Sequence, residues 1–274
     1  MSRMALDQFY TNSDVATHCY GQLASNINLD AFDIVLEPSA GTGSFFKLMP
    51  PAKRIGLDLE PKHDGIRPLD YFNFVPDPKL KYIVVGNPPF GRVCKTAVQF
   101  FNHSATFADC IAFIIPRTFK RTSIQNRLSL DFELRFNEDL PTRPCCFTPA
   151  MGAKCCFQIW VRSTVPRQKI IMPPTHSDFN FIKYGPKDTR NQPTPPKGAH
   201  FVMKAYGSNC GTIIAEGLMS LRPKSWHWIK SNIDVDLLRQ RFESLDYSIS
   251  KDTVRQDSIG QKEVIHLYRM KYNV

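Results

Sequence analysis

The chain has 274 residues, 42% of them hydrophobic and 22% charged, which is enough for one large domain or one domain with an appendage. No apolar run of about 18 residues is present, so no membrane span is indicated, and Met1-Ser2-Arg3-Met4 lacks the apolar core of a secretion signal; both point to an intracellular protein. A formal net charge of +10 favours a polyanionic partner, because Lys and Arg gain by displacing counterions from phosphates.

In chain order, Asp7-Gln8-Phe9-Tyr10-Thr11-Asn12 is a polar and aromatic entry segment. Ser13 is placed to cap a helix from Asp14 to about Ser25, with Val15, Ala16, Cys19, Tyr20 and Leu23 on its apolar side. Phe32 to Glu37 reads as a buried strand running into Pro38-Ser39-Ala40-Gly41-Thr42-Gly43-Ser44-Phe45-Phe46. A strand, a glycine turn and a helix start together form the first βα turn of a doubly wound fold, where ligands sit at the carboxyl ends of the strands. Gly41 and Gly43 let backbone come close to a ligand, although the third glycine of the dinucleotide fingerprint is missing.

Arg54 to Asp58 is a short strand ending in a carboxylate. Asp58, followed by Leu59, lies about 15–20 residues past the glycines, the spacing at which an acid holds both hydroxyls of a ribose. Asp70-Tyr71-Phe72 offers a second carboxylate, suited to an adenine amino group, with an aromatic ring beside it. Ile83 to Gly86 is another buried strand, leading into Asn87-Pro88-Pro89-Phe90. Two successive prolines fix φ and remove two backbone donors, leaving the carbonyls of Asn87 and Pro88 as rigid acceptors in extended chain. With the Asn87 amide and the Phe90 ring, this group suits a planar molecule carrying an NH2.

A helix from about Thr96 to Ala108 precedes the strand Ile111–Pro116, and Pro116 to Arg121 forms a basic loop that either touches phosphate or lies solvated. Phe132–Phe136 and Lys154–Arg162 read as two strands making an antiparallel edge. Prolines crowd residues 163–199, which reads as linker and loops. His200–Gly207 with Gly211–Ile214 reads as a hairpin, Val235 to about Ser244 as a helix, and Glu263–Tyr268 as a last helix. Trp226-His227-Trp228-Ile229-Lys230 either stacks on nucleic acid or packs the C-terminal helices. The adjacent pairs Cys145-Cys146 and Cys155-Cys156 lack CxxC spacing and point to opposite faces of a strand, so the eight cysteines read as reduced thiols, without a metal. The βα alternation predicts an α/β fold: a doubly wound, mostly parallel, Rossmann-like sheet with an antiparallel edge (residues 1–162), followed by a small C-terminal α+β extension (200–274).

With these residues in hand, the chain resembles class I S-adenosylmethionine-dependent amino-methyltransferases, and within them phage and giant-virus adenine-N6 enzymes. Asn87-Pro88-Pro89-Phe90 matches the family's (D/N)PP(Y/F/W) motif, Glu37 to Gly43 its methionine-binding loop, and Asp7 to Thr11 the segment that folds over the cofactor. The resemblance is strong over residues 5–162 and loose over 178–270, where Lys204-Ala205-Tyr206-Gly207 with Cys210-Gly211 departs from the group's arginine-bearing segment. It implies S-adenosylmethionine bound by Phe9, Tyr10, Thr11, Glu37, Pro38, Ser39, Gly41, Gly43, Asp58, Leu59, Asp70, Tyr71 and Asn87. It also implies methyl transfer to the N6 amine of adenine by Asn87, Pro88, Pro89 and Phe90, with DNA ahead of RNA as substrate. Guanine N2, and glutamine of a release factor, are the alternatives; the basic charge speaks against the last. Residues 200–274 are then candidates for target recognition.

Overall fold

A computed structural model describes residues 9–273; Asp7 and Gln8 of the entry segment, and Met1 to Met4, lie outside the described residues. The chain divides into two compact units, the first ending at Lys169 and the second beginning at Ile170.

The first unit contains β1 (Tyr10–Thr11), α1 (Ser13–Asn26), β2 (Ile34–Glu37), β3 (Arg54–Asp58), β4 (Arg67–Pro68), β5 (Tyr82–Gly86), α2 (Lys95–Ser104), β6 (Cys110–Pro116), the short α3 (Thr122–Gln125), β7 (Phe132–Asp139), β8 (Phe147–Thr148) and β9 (Cys155–Arg162). Seven strands form one sheet in the order β4-β3-β2-β5-β6-β9-β7. The first five run parallel, and β9 is antiparallel to both β6 and β7. The expected α/β architecture with an antiparallel edge is therefore present. Every residue of β5 and β6 is buried, so both faces of the central sheet are covered. That is why these strands read as unbroken apolar runs rather than alternations. At the edge, β7 exposes Glu133 and Arg135, charges that discourage pairing with another chain. Gln158, fully buried on β9, is satisfied on both sides: its Oε1 accepts from Trp160 Nε1 (3.0 Å) and its Nε2 donates to Asn137 Oδ1 (3.0 Å).

Two local expectations change. No α-helix follows the glycine turn; a three-residue 3-10 turn, Phe46–Leu48, stands there instead. Pro50 and Pro51 explain it, since the residue before a proline is pushed out of the α region. The residue capping α1 is Asn12, not Ser13, and its side chain makes no cap. Asn12 Nδ2 instead donates to the Cys145 carbonyl (2.9 Å), and its Oδ1 accepts from Thr148 Oγ1 (2.7 Å). These bonds fasten β1 to β8, with which it pairs antiparallel.

Two cations of the basic loop have partners within the fold. Arg117 donates to the carbonyls of Leu140 (3.0 Å) and Cys155 (3.3 Å), and Asp139 sits beside both Arg117 (3.5 Å) and Lys120 (3.2 Å).

The second unit contains β10 (Phe179–Phe181), β11 (Phe201–Lys204), β12 (Ile213–Ile214), β13 (Trp226–Ser231), α4 (Val235–Glu243) and α5 (Gln261–Tyr272). Its antiparallel sheet has the order β10-β13-β11-β12. Strand β10 lies inside the proline-rich stretch expected to be linker, because Phe179 and Phe181 supply rings to this unit's core. Alternation along β13 sends Trp226 and Trp228 to one face with Val202, and Ile229 to the other with Phe179, Phe201, Leu238, Phe242 and Tyr268. Both indoles are buried, packed with Val202 on the sheet face away from α4 and α5, while Lys230 is exposed. Asp178, largely buried, accepts from Arg241 Nη1 (3.0 Å) and from the Tyr268 hydroxyl (2.7 Å). Asp178→Ala is expected to cost about 1–2 kcal/mol, read as a fall in the urea midpoint at unchanged slope, since it takes the acceptor from the Tyr268 hydroxyl while Arg241 Nη1 keeps its bond to that hydroxyl (2.9 Å).

All eight cysteines are free thiols, and burial pushes those of Cys19, Cys94, Cys110, Cys146 and Cys155 up in pKa. Among the described residues, no group of three or more His, Cys, Asp or Glu converges as metal ligands, and no helix is long and apolar enough to cross a membrane.

Candidate active site

Chain order around β2 determines where a ligand can sit. From β2 the sheet grows one way through β3 and β4, and the other way through β5 and β6. The loops leaving β2 and β5 therefore diverge and open a crevice between them at the carboxyl ends of the strands. Val35 pairs with Ile83 and Leu36 with Val84, so Glu37 and Gly86 end neighbouring strands, and Asn87 follows directly.

Phe9, Tyr10, Thr11, Glu37, Ser39 and Asn87 line one small cavity of about 30 Å³ at this point, together with Ala40, Thr42 and Ser44. The β1 strap covers it. Asn87 Nδ2 donates to the Phe9 carbonyl (3.1 Å), and Ser44 Oγ donates to the Thr11 carbonyl (2.6 Å). Since a carbonyl only accepts, the first bond fixes the Asn87 amide with its nitrogen toward Phe9. The other end, Asn87 Oδ1, is buried and has no hydrogen-bond partner. A buried acceptor left unpaired is costly, and such atoms mark places where a ligand donates. The Asn87 carbonyl is not free as expected, because it accepts from Ser39 Oγ (3.1 Å).

Gly41 adopts φ +48°, and a Cβ there would stand 2.7 Å from the Tyr10 ring. Its N–H donates to Asp58 Oδ2 (2.7 Å), whose Oδ1 accepts from the Glu60 N–H (2.8 Å). Asp58 is thus held against the glycine loop at the end of β3, with Leu59 exposed beside it. Gly43, also at positive φ, donates its N–H to the Ala40 carbonyl (2.6 Å) and tightens the same turn. Pro38 and Pro88 are buried, and Pro89 is half-buried. The half-buried Phe90 ring stands edge-on to Phe147 of β8 (6.4 Å, 82°), so the β1–β8 ribbon braces both the glycine loop and the aromatic end of the tetrapeptide.

Of the expected site residues, Pro38, Gly41, Gly43, Asp58, Leu59, Pro88, Pro89 and Phe90 stand outside the lining of this cavity on the loops that carry it, and Asp70 and Tyr71 make their bonds elsewhere. Asp70 Oδ1 caps its own 3-10 turn by accepting from the Phe72 N–H (3.0 Å). Tyr71 is buried, stacked on Phe100 (5.1 Å) and hydrogen-bonded to Ser104 Oγ (2.7 Å), and burial raises its pKa. The exposed ring of that segment is Phe72. Ser44, Asn12 and Phe147 are not among the expected site residues, and the pairing of β1 with β8 gives them their place.

Glu37 is buried, and its Oε2 accepts from the Phe46 N–H (2.8 Å). Burial raises its carboxyl pKa well above the ordinary value, and nearby Asp58 adds to this against the opposing backbone bond. The folded state then holds a proton that the unfolded chain releases once pH passes the ordinary carboxylate range. Stability contributed by this group therefore falls as pH rises from there toward the folded pKa. Gln has no such proton and still offers an oxygen to Phe46. Glu37→Gln is expected to gain stability over the wild type as pH is raised, in urea titrations from about pH 5 to about pH 8.

No protein-family model matches the chain, and no curated protein does. Among solved structures it is similar to a proposed RNA methyltransferase of Pyrococcus horikoshii (17% identity, TM-score 0.43), over 60% of this chain and 90% of that one. It is likewise similar to a 23S rRNA methyltransferase (17% identity, TM-score 0.42; 57% of this chain, 71% of that one). A third is the magnesium protoporphyrin IX methyltransferase of Synechocystis, solved with S-adenosylmethionine bound (12% identity, TM-score 0.39; 55% and 78%).

Proposed function

We propose that the chain is an S-adenosylmethionine-dependent methyltransferase acting on the N6 amine of adenine in nucleic acid. The observation that carries this reading is Asn87 Oδ1, a buried acceptor without a partner at the switch point of the sheet. The residues present fit the cofactor. The Asp58 carboxylate at the end of β3 would hold ribose hydroxyls, and the bare backbone of Gly41 allows a close approach. Phe9 to Thr11 would cover the methionine end. Bound there, S-adenosylmethionine supplies a methyl group already made electrophilic by a sulfonium.

The chain's own task is then the nucleophile. An adenine amino lone pair is delocalised into the ring. Asn87 Oδ1 and the Pro88 carbonyl would each accept one N6–H, favouring a pyramidal nitrogen with its lone pair directed at the methyl. Phe90, braced by Phe147, would stack on the base and fix its plane. No strong base is required before attack, so rate comes from alignment and from acceptors fixed in advance. All the residues invoked lie in the unit ending at Lys169, and the basic charge suits a phosphate-bearing substrate. The test is transfer of a labelled methyl group to unmodified DNA and, in parallel, to RNA, followed by digestion to nucleosides. Label in N6-methyladenine nucleoside is the expected result; label in guanine alone, or in neither polymer, overturns the reading.

A further inference from the structure

Just past Phe90 the backbone does something that a solvated loop has no reason to do. Gly91, Val93 and Cys94 all have positive φ, and Val93 sits at φ 52°, ψ 38°, a left-handed conformation that penalises β-branched residues. The segment is fastened on every side. Thr96 fills the space where a side chain at Gly91 would go. Cys94 is buried, with its Sγ 3.1 Å from Thr118 Oγ1, and Arg127 Nη1 donates to the Val93 carbonyl (3.3 Å). Yet Val93 is 72% exposed. A lone exposed valine on relaxed backbone needs no explanation. One held rigidly outward, in a conformation that glycine or asparagine would adopt at less cost, does. Its chain neighbours Arg92 and Lys95 are both exposed cations. Three residues of chain keep Val93 within about 11 Å of Phe90, close enough for a single nucleotide step to touch both.

We infer that Val93 is a positioning residue for duplex substrate: its side chain enters the base stack beside the target adenine, and Arg92 and Lys95 hold the phosphates on either side of it. This rests on the adenine reading. An adenine within a duplex must leave the stack before its N6 reaches Asn87, and an apolar wedge offsets part of the lost stacking. A single strand has little stacking to replace, so Val93 matters little there.

The experiment measures initial methylation rates on double- and single-stranded forms of one mixed-sequence DNA and one mixed-sequence RNA, for wild type, Val93→Gly and Val93→Leu. Glycine relaxes the backbone, so the melting temperature of Val93→Gly is expected not to fall. Its kcat/KM on duplex is expected to drop about tenfold while the single-strand value stays within about twofold, and Val93→Leu restores duplex activity. An unchanged duplex-to-single-strand ratio in Val93→Gly overturns the wedge and leaves the adenine reading standing. So does a wild type that methylates adenine only in single strands. Absence of adenine methylation in all four substrates removes the adenine reading itself, and the wedge with it.

Discussion

Asn87→Ala is expected to lower methyl transfer by roughly 10²–10³-fold while the dissociation constant for S-adenosylmethionine moves only a few-fold. The asymmetry follows from the two ends of one amide. Its oxygen is the unpaired acceptor assigned to the substrate amine, and alanine removes it outright. Its nitrogen makes a single bond to the Phe9 carbonyl, one of several ties on the strap beside those from Ser44 and Asn12. Asn87→Asp separates the two roles. It keeps an acceptor but sets a carboxylate oxygen against the Phe9 carbonyl, where no hydrogen remains to share. It should therefore retain more turnover than Asn87→Ala, with a raised KM for the cofactor. Calorimetric binding beside single-turnover rates reads both quantities. Parallel loss of binding and turnover in Asn87→Ala would make the residue structural.

The parts of this molecule that were legible in the sequence are those whose signal is local. Strands β2, β5 and β6 declared themselves as apolar runs because a parallel sheet covered on both faces leaves little polar alternation to confuse them. The glycine turn and the Asn-Pro-Pro-Phe segment were visible for the same reason, since their conformations are written into the residues that adopt them. What stayed hidden depends on pairing across distance. Tyr10 opposite Thr148 is a contact no window of sequence contains, and it gives Asn12, Ser44 and Phe147 their roles. Tyr71 and Phe72 are adjacent rings of similar character; which one turns inward was set by Phe100, Ser104 and His103 on α2. The strand Phe179–Phe181 is too short to stand out among prolines, and exists because β13 lies ready to pair with it. The missing helix after Gly43 is the instructive case, because Pro50 and Pro51 were in plain view and outweigh the architectural habit of a helix at that place.

Gly41→Ala is expected to destabilise the protein by about 3–5 kcal/mol and to weaken cofactor binding along with it. Two separate costs meet at this residue. A φ of +48° is strained for any side chain, at roughly 1–2 kcal/mol. The new methyl would also stand 2.7 Å from the Tyr10 ring, well inside van der Waals contact, so either the strap or the glycine loop must shift. The loop resists, because the Gly41 N–H is held by Asp58 and the Gly41 carbonyl accepts from the Lys62 N–H (2.9 Å). The strap resists through β8 and Asn12. A double-mutant cycle with Tyr10→Ala divides the costs. Removing the ring relieves the collision but not the backbone strain, so Tyr10→Ala/Gly41→Ala should be more stable than the two single effects added together, by about 1–3 kcal/mol. Strict additivity in urea unfolding would mean that the ring yields freely and that the strap is not packed on the loop. The same double variant tests the site from the other side. A cavity of about 30 Å³ is far too small for a nucleoside, so a ligand that rests on the glycine loop must take the place of the Tyr10 ring or push it outward. Tyr10→Ala alone should then admit the cofactor faster and release it faster, whereas Gly41→Ala crowds the surface the ligand needs and raises its dissociation constant.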